Sequence, residues 1–300
     1  MLDLVTDLNE LAAAIAAALG RICRLTPLKV KCTYPVFKGE TVGESPVFVK
    51  VGTWEEWTRT RDLLKAIGDC GFFSRLVTEV PIDYHGHAVF MMEWKETQVV
   101  FPEDMNARQI ENFVAGCVKL GEVLQHAHAA VRPADSPEEL YADLLRHVSR
   151  HPVTGKLLKG LVEIPENERT YGNRPRAVCH GDFHAKNFGF AGDEFAAVYD
   201  FDKLTKGLKC SDLVNALMER FSCFHLSRAA RQRLRDVTWR IIAAAPWPRE
   251  EIEIAVNVVR LQFAARRIRK HPNSAWVALD VWRRDCALRG FLKCFERSES

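Results

Sequence analysis

Apolar residues recur at helical spacing over residues 2–19, and the run stops at Gly20. From Arg21 to Met92 the period shortens. "LKVKCTYPVF" alternates and is rich in strand formers, and "SPVFVKVG" predicts a short strand after a turn at Gly39–Ser45. "TWEEWTRTRDLLKAIG" predicts a helix with Thr53 as its N-cap and Gly68 as its stop. "RLVTEVPIDYHGHAVFMMEW" predicts a hairpin turning at His85-Gly86. The order strand, strand, helix, strand, strand describes a small antiparallel sheet with one helix packed on it. After Trp94 the helical period takes over, with helices predicted near 105–130, 137–150, 154–163, 211–222, 227–244, 249–270 and 273–295.

The pattern thus predicts an α+β chain. An N-terminal helix (1–20) precedes a small antiparallel-sheet lobe (21–95), and a large, mostly helical lobe (96–300) follows, with a cleft between the lobes. Three hundred residues suffice for two lobes with their own cores. The N-terminal stretch carries Asp3, Asp7 and Glu10 without a basic leader, so it does not read as a secretory signal. No uncharged run reaches the roughly 20 residues that span a bilayer, and a cytoplasmic location is expected.

Net charge is only +3 and names no partner. Its distribution is uneven: from Leu213 onward there are seventeen Lys and Arg against nine Asp and Glu. These basic stretches lack interleaved aromatics and do not point to nucleic acid. The nine cysteines are scattered without a CxxC pair, so reduced, mostly buried thiols are expected rather than a zinc or disulfide scaffold.

The chemistry is concentrated in residues 176–204. Two short apolar runs end in acids: Ala177–Cys179 leads into His180-Gly181-Asp182, and Ala196–Tyr199 leads into Asp200-Phe201-Asp202, with Asn187 between them. Strands that close in sequence would form a hairpin whose polar ends share one mouth. An amide oxygen and a carboxylate converging on one point make a hard oxygen site of the kind Mg²⁺ prefers, completed by waters and phosphates. Asp182, standing beside it, could accept a proton from a hydroxyl nucleophile.

"HGDFHAKN" followed by "VYDFD" resembles the catalytic and metal-binding loops of the aminoglycoside phosphotransferase and choline kinase superfamily, which shares the protein-kinase fold. Gly181 and His184 are similar to the small-molecule branch. The resemblance implies a protein-kinase-like two-lobe fold whose 21–95 segment binds ATP. Asp182 would be the catalytic base and Asn187 and Asp200 the Mg²⁺ ligands. His180 would brace the loop, and Asp212, in "SDLVNAL", would support it. Lys50, in "VFVKVG", would hold the α and β phosphates. Met92, Glu93 and Trp94, in "VFMMEWKE", would form the hinge against adenine. "LGEVLQHAHAA" resembles the long helix beneath the catalytic loop.

The chain departs from the family where Gly and Ser are expected between the first two strands. It offers "LTPLKVK", whose Thr26 and Lys29 are the candidates for phosphate contact there. The partner of Lys50 stays open: Glu55 and Glu56 come early in the helix, and the aligned position falls nearer Thr60. His184, Asp202 and Arg220 are candidates for the acceptor side. Arg260, Arg266 and Arg267 could join Arg220 in selecting an anionic acceptor, such as an acidic, phosphorylated or lipopolysaccharide core sugar.

The implied activity is transfer of the γ-phosphoryl of ATP to a hydroxyl of a small molecule: a sugar, amino sugar or amino alcohol. The alternative is a nucleotide-binding regulatory module with little turnover, motivated by the missing glycines and the open Lys50 partner.

Overall fold

The first helix begins at Asp7, whose carboxylate accepts the backbone N–H of Asn9 at 2.7 Å. Helix α1 (Leu8–Leu19) ends where Gly20 turns left-handed at φ 68°. This computed structural model describes residues 7–20, 23–28, 35–41, 43–131, 136–165, 174–201, 203–223 and 225–296. The chain divides into two compact units, Met1–Thr97 with Ala196–Asp202, and Gln98–Phe195 with Lys203–Ser300.

The first unit holds strands β1 (Cys23–Pro27), β2 (Val36–Thr41), β3 (Val47–Gly52), β4 (Ile82–Tyr84) and β5 (His87–Glu93), with helix α2 (Trp54–Ile67) between β3 and β4. All pairings are antiparallel, in the order β1-β2-β3-β5-β4. Residues 29–34 of the strand predicted over 28–37 lie outside the described residues, β2 (Val36–Thr41) runs into the turn expected at Gly39–Ser45, and β1 is a strand that the pattern does not predict. β1 lies ahead of the alternating run and forms an edge, so it has little buried face to write into the sequence. The β4–β5 turn falls at the expected dipeptide, with His85 at φ 50° and Gly86 at φ 79°, the twist that two-residue hairpins favour.

Alternation along β3 assigns its two faces. Val47, Val49 and Val51 are buried against Leu11 and Ile15 of α1, together with Val89 and Met91 of β5. Lys50, between two of those valines, must therefore face the other side. There Phe90 and Ala88 pack on Trp57 of α2. α2 itself carries a complete capping box: Thr53 Oγ1 accepts the N–H of Glu56 at 3.1 Å, and Glu56 Oε2 accepts the N–H of Thr53 at 3.0 Å.

The second unit is mostly helical: α3 (Ala107–Leu124), α4 (Pro137–Arg150), α5 (Pro152–Gly155), α6 (Lys159–Val162), α7 (Ser211–Phe221), α8 (Arg228–Ala244), α9 (Arg249–Lys270) and α10 (Trp276–Glu296). Strands β6 (Ala177–Cys179) and β9 (Thr205–Gly207) pair antiparallel, and β7 (Phe188–Ala191) pairs with β8 (Glu194–Val198). Two predicted helices are shorter than expected. The 105–130 run ends as a 3₁₀ segment from Gln125, and the 154–163 run breaks into α5, a 3₁₀ turn and α6. Gly155 and Gly160 lie in the latter, where helix propensity is poor.

One core of this unit joins Leu144, Leu158 and Leu161 to Leu261, Ile268 and Val281. Another is aromatic: Phe113 of α3 packs on Phe183, Phe188 and Phe195. No helix among the described residues is long and apolar enough to cross a membrane.

Candidate active site

The segment after β6 is held from below. Asp212, in the first turn of α7, accepts the backbone N–H of His180 at 2.8 Å and that of Gly181 at 3.2 Å. Burial pushes the Asp212 carboxyl up, and the nearby His180 with these two N–H groups opposes that shift. Gln125 braces β6 from the other side: its amide nitrogen donates to the Val178 carbonyl at 3.3 Å, and its amide oxygen accepts the Val178 N–H at 3.2 Å.

Gly181 has φ 78°, and a Cβ there would stand 2.1 Å from the carbonyl oxygen of Lys203. Only glycine gives both the left-handed turn and this close approach. The loop is therefore stitched to the strand entering β9, where Cys179 pairs with Thr205.

Asp182 and Asn187 each stand next to a fully buried phenylalanine, Phe183 and Phe188, whose rings are 5.0 Å apart against Phe113. Burying two such rings contributes about 1.5–3 kcal/mol each and fixes both ends of the loop. Across the loop, the Asn187 side-chain nitrogen donates to the Asp182 carbonyl at 2.9 Å, and the Asn187 N–H donates to the His184 carbonyl at 2.7 Å. With its nitrogen so placed, the Asn187 amide turns Oδ1 away, and Oδ1 is the atom a hard cation takes. Asp182 Oδ2 forms an ion pair with Lys203.

In the first unit, Lys50 Nζ lies 3.7 Å from Glu56 Oε1 and 5.9 Å from the Phe90 ring centroid. The acid left open by the sequence is thus Glu56, the residue that also closes the capping box. Glu55 instead pairs with Arg59 on the exposed side. Asp200 is exposed and adopts φ 59°, an uncommon conformation for a residue other than glycine. Its neighbours fix it: Val198 N–H donates to Phe72 O at 3.1 Å, Tyr199 and Thr97 hydroxyls lie 2.7 Å apart, and Phe201 stacks edge-on to Phe73 at 4.4 Å.

Glu56 and the loops that carry Asp182, Asn187 and Asp200 lie in a segment that a family model recognises, and Lys50 lies just ahead of it. The model, described as the phosphotransferase enzyme family, matches residues 55–246. The chain belongs to that family. Its members are phosphotransferases.

Solved structures agree on the fold. An aminoglycoside 2'-phosphotransferase-IIIa in complex with GDP superposes with a TM-score of 0.66 at 12% identity, covering 93% of this chain and 98% of that one. A putative aminoglycoside phosphotransferase from Ralstonia eutropha gives 0.57 at 16% identity, with 95% and 98% covered. A macrolide 2'-phosphotransferase from Brachybacterium faecium gives 0.58 at 11% identity, with 95% and 98% covered. The fold is therefore the kinase-like two-lobe α+β fold. No curated protein sequence matches the chain.

The remaining candidates of this family member sort themselves by their contacts. Met92, Glu93 and Trp94 lie at the end of β5, but two of their donors are engaged: Glu93 N–H donates to Arg75 O at 2.9 Å and Trp94 N–H to Pro46 O at 3.2 Å. Lys29 and Asp202 lie outside the described residues. His184 is half-buried, and its Nδ1 accepts the N–H of Lys186 at 3.3 Å.

Three of the basic residues expected to face an acceptor have acid partners. Arg220 forms a bidentate pair with buried Glu103 and stacks over Phe101 at 4.0 Å. Arg260 is buried and donates to Asp285 at 2.7 Å and to Asn257 at 2.6 Å. Arg267 pairs with Asp280 at 2.8 Å. The Arg220 and Arg260 pairs sit inside the helical packing, which one-dimensional charge counting cannot see, while the Arg267 pair is about one-third exposed. The sequence reading missed Lys203 and Gln125, and only the β6–β9 pairing and the α3 packing reveal them. Cys117 and Cys179 are buried thiols whose pKa burial pushes up, so neither is poised as a nucleophile.

Proposed function

We propose that this phosphotransferase moves the γ-phosphoryl group of ATP onto a hydroxyl of a small molecule, with Asp182 as the catalytic base. The observation that carries the reading is the loop bearing Asp182: its backbone is pinned by Asp212, and the Asn187 amide is tied across it with its oxygen turned out. In this reading Asp182 orients the acceptor hydroxyl and receives its proton as the new O–P bond forms. Lys50, oriented by Glu56, binds the α and β phosphates. The Asn187 amide and Asp200 carboxylate are the oxygen donors that suit Mg²⁺. When bound, Mg²⁺ neutralises phosphate charge.

The Lys50–Glu56 pair removes one of the two grounds of the regulatory alternative, the lysine without an assigned acid, and leaves the missing glycines. With Arg220, Arg260 and Arg267 paired internally, the argument for an anionic acceptor loses those three residues. The acceptor is proposed as a small-molecule alcohol, its charge undecided by these side chains.

The test is transfer of labelled phosphate from γ-labelled ATP with Mg²⁺ to a panel of cationic amino sugars, neutral sugars, amino alcohols and acidic or phosphorylated core sugars. Transfer to one class, abolished by chelation of the metal and lowered by about 10²- to 10⁴-fold in Asp182→Asn, is the expected result. Nucleotide binding without transfer to any acceptor or to water would overturn the reading.

A further inference from the structure

Lys203 approaches the candidate base from a direction the motif does not encode. It lies beyond Asp200 in sequence, yet its backbone carbonyl packs against the α-carbon of Gly181, and its ammonium pairs with Asp182 Oδ2. Two residues on, Thr205 pairs in register with Cys179, the last residue of β6. Backbone contact, strand register and ion pair all fix Lys203 to the catalytic loop.

We propose that Lys203 is a specific part of the transfer site: it positions the Asp182 carboxylate and supplies a cation to the phosphoryl group in flight. The proposal rests on the phosphotransfer reading above. The lysine side chain is half-exposed and the Asp182 side chain about one-fifth exposed. A pair this open contributes little to stability and restrains a long side chain, so folding alone does not account for it. Its consequence is local. The ammonium holds one carboxylate oxygen and leaves Oδ1 to read the acceptor hydroxyl.

An acceptor oxygen held by Asp182 lies one bond from the phosphorus it attacks. A cation in contact with that carboxylate is therefore within reach of the equatorial phosphoryl oxygens, whose charge a fixed cation stabilises. In the step, the acceptor O–P bond forms, the bond from the γ-phosphorus to the bridging oxygen breaks, and ADP leaves with that electron pair. The hydroxyl proton passes to Asp182. Lys203 stays protonated throughout and exchanges nothing.

The test uses the full chain with Mg·ATP and water as acceptor, read as phosphate release, so no acceptor need be known. Lys203→Ala is expected to lower kcat by roughly 10- to 100-fold with KM for ATP changed less than about threefold, because the cation acts on transfer rather than on binding. Lys203→Arg restores most of that loss, and the urea unfolding midpoint is unchanged in both. On an Asp182→Asn background the same Lys203→Ala change costs clearly less than in the wild type, because the positioning part of its effect is already gone.

Wild-type kcat in Lys203→Ala overturns the proposal, as does an equally large loss on the Asp182→Asn background. A loss that tracks a lowered unfolding midpoint and is not restored by arginine makes Lys203 structural and overturns it too. A wild type that neither binds nor hydrolyses ATP sinks the phosphotransfer reading and this inference together. Wild-type turnover with an indifferent Lys203→Ala sinks the inference alone.

Discussion

Asp212 accepts two consecutive backbone N–H groups of the loop that carries Asp182, from His180 and Gly181, through its two carboxylate oxygens. Removing it leaves both donors buried without an acceptor, at about 1–3 kcal/mol each. Asp212→Ala is expected to lose about 2–6 kcal/mol in urea unfolding and to lose phosphate transfer. Asp212→Asn keeps one acceptor oxygen and should fall between the two. A fully stable, fully active Asp212→Ala enzyme would show that the loop holds its shape without it.

Asp182 stands on that loop, fixed by buried Phe183 on one side and by the Asn187 amide on the other. Asp182→Ala should lower kcat by ~10² to 10⁴, the range for loss of a general base, while ATP affinity changes little. Steady-state kinetics with calorimetric nucleotide binding separates the two quantities. Unchanged turnover would remove Asp182 from the role of base.

Glu56 has two jobs that one pair of substitutions can separate. Its Oε2 caps α2 through the Thr53 N–H, and its Oε1 faces Lys50. Glu56→Gln keeps an acceptor for the cap but removes the charge, so stability should stay close to wild type while kcat/KM for ATP falls. Glu56→Ala should lower both, with about 1 kcal/mol lost from the cap. If Glu56→Gln leaves kcat/KM intact, the ion pair does not orient Lys50.

His147 on α4 is buried against His151, ring centroids 4.7 Å apart, and neither His147 nitrogen makes a hydrogen bond of ordinary geometry among the described residues. Burial, with the positive neighbours His151 and Arg150, lowers its pKa from the usual 6.5; the Pro272 carbonyl opposes the shift. The unfolded chain then binds this proton more readily than the folded one. The contribution is complete above pH 6.5 and is lost as pH falls through that value toward the lower folded one. Urea midpoints measured from about pH 7.5 down to about pH 5 should therefore decline, by at most about 1.4 kcal/mol per unit from this one group. His147→Leu should flatten that decline. An unaltered slope in His147→Leu would place the acid sensitivity elsewhere.

The capped helix α2, the hairpin at His85-Gly86 and the long helices α8, α9 and α10 were legible because their signals are local: a cap, a turn dipeptide, a period. Edge strand β1 was not, because a strand with little buried face carries little alternation. The broken α5–α6 segment misled for a related reason: its apolar residues keep a helical spacing although two glycines interrupt the backbone.

The sequence by itself offered His180, Asp182, Asn187, Asp200 and Asp212 as the candidates for the chemistry, because their spacings and the apolar runs before them are one-dimensional facts. Only the tertiary structure decided their partners. It chose Glu56 for Lys50, brought Lys203 to Asp182 and turned Arg220 and Arg260 inward onto acids far along the chain. Ion pairs and loop contacts depend on which distant segments pack together, and no local pattern carries that distance.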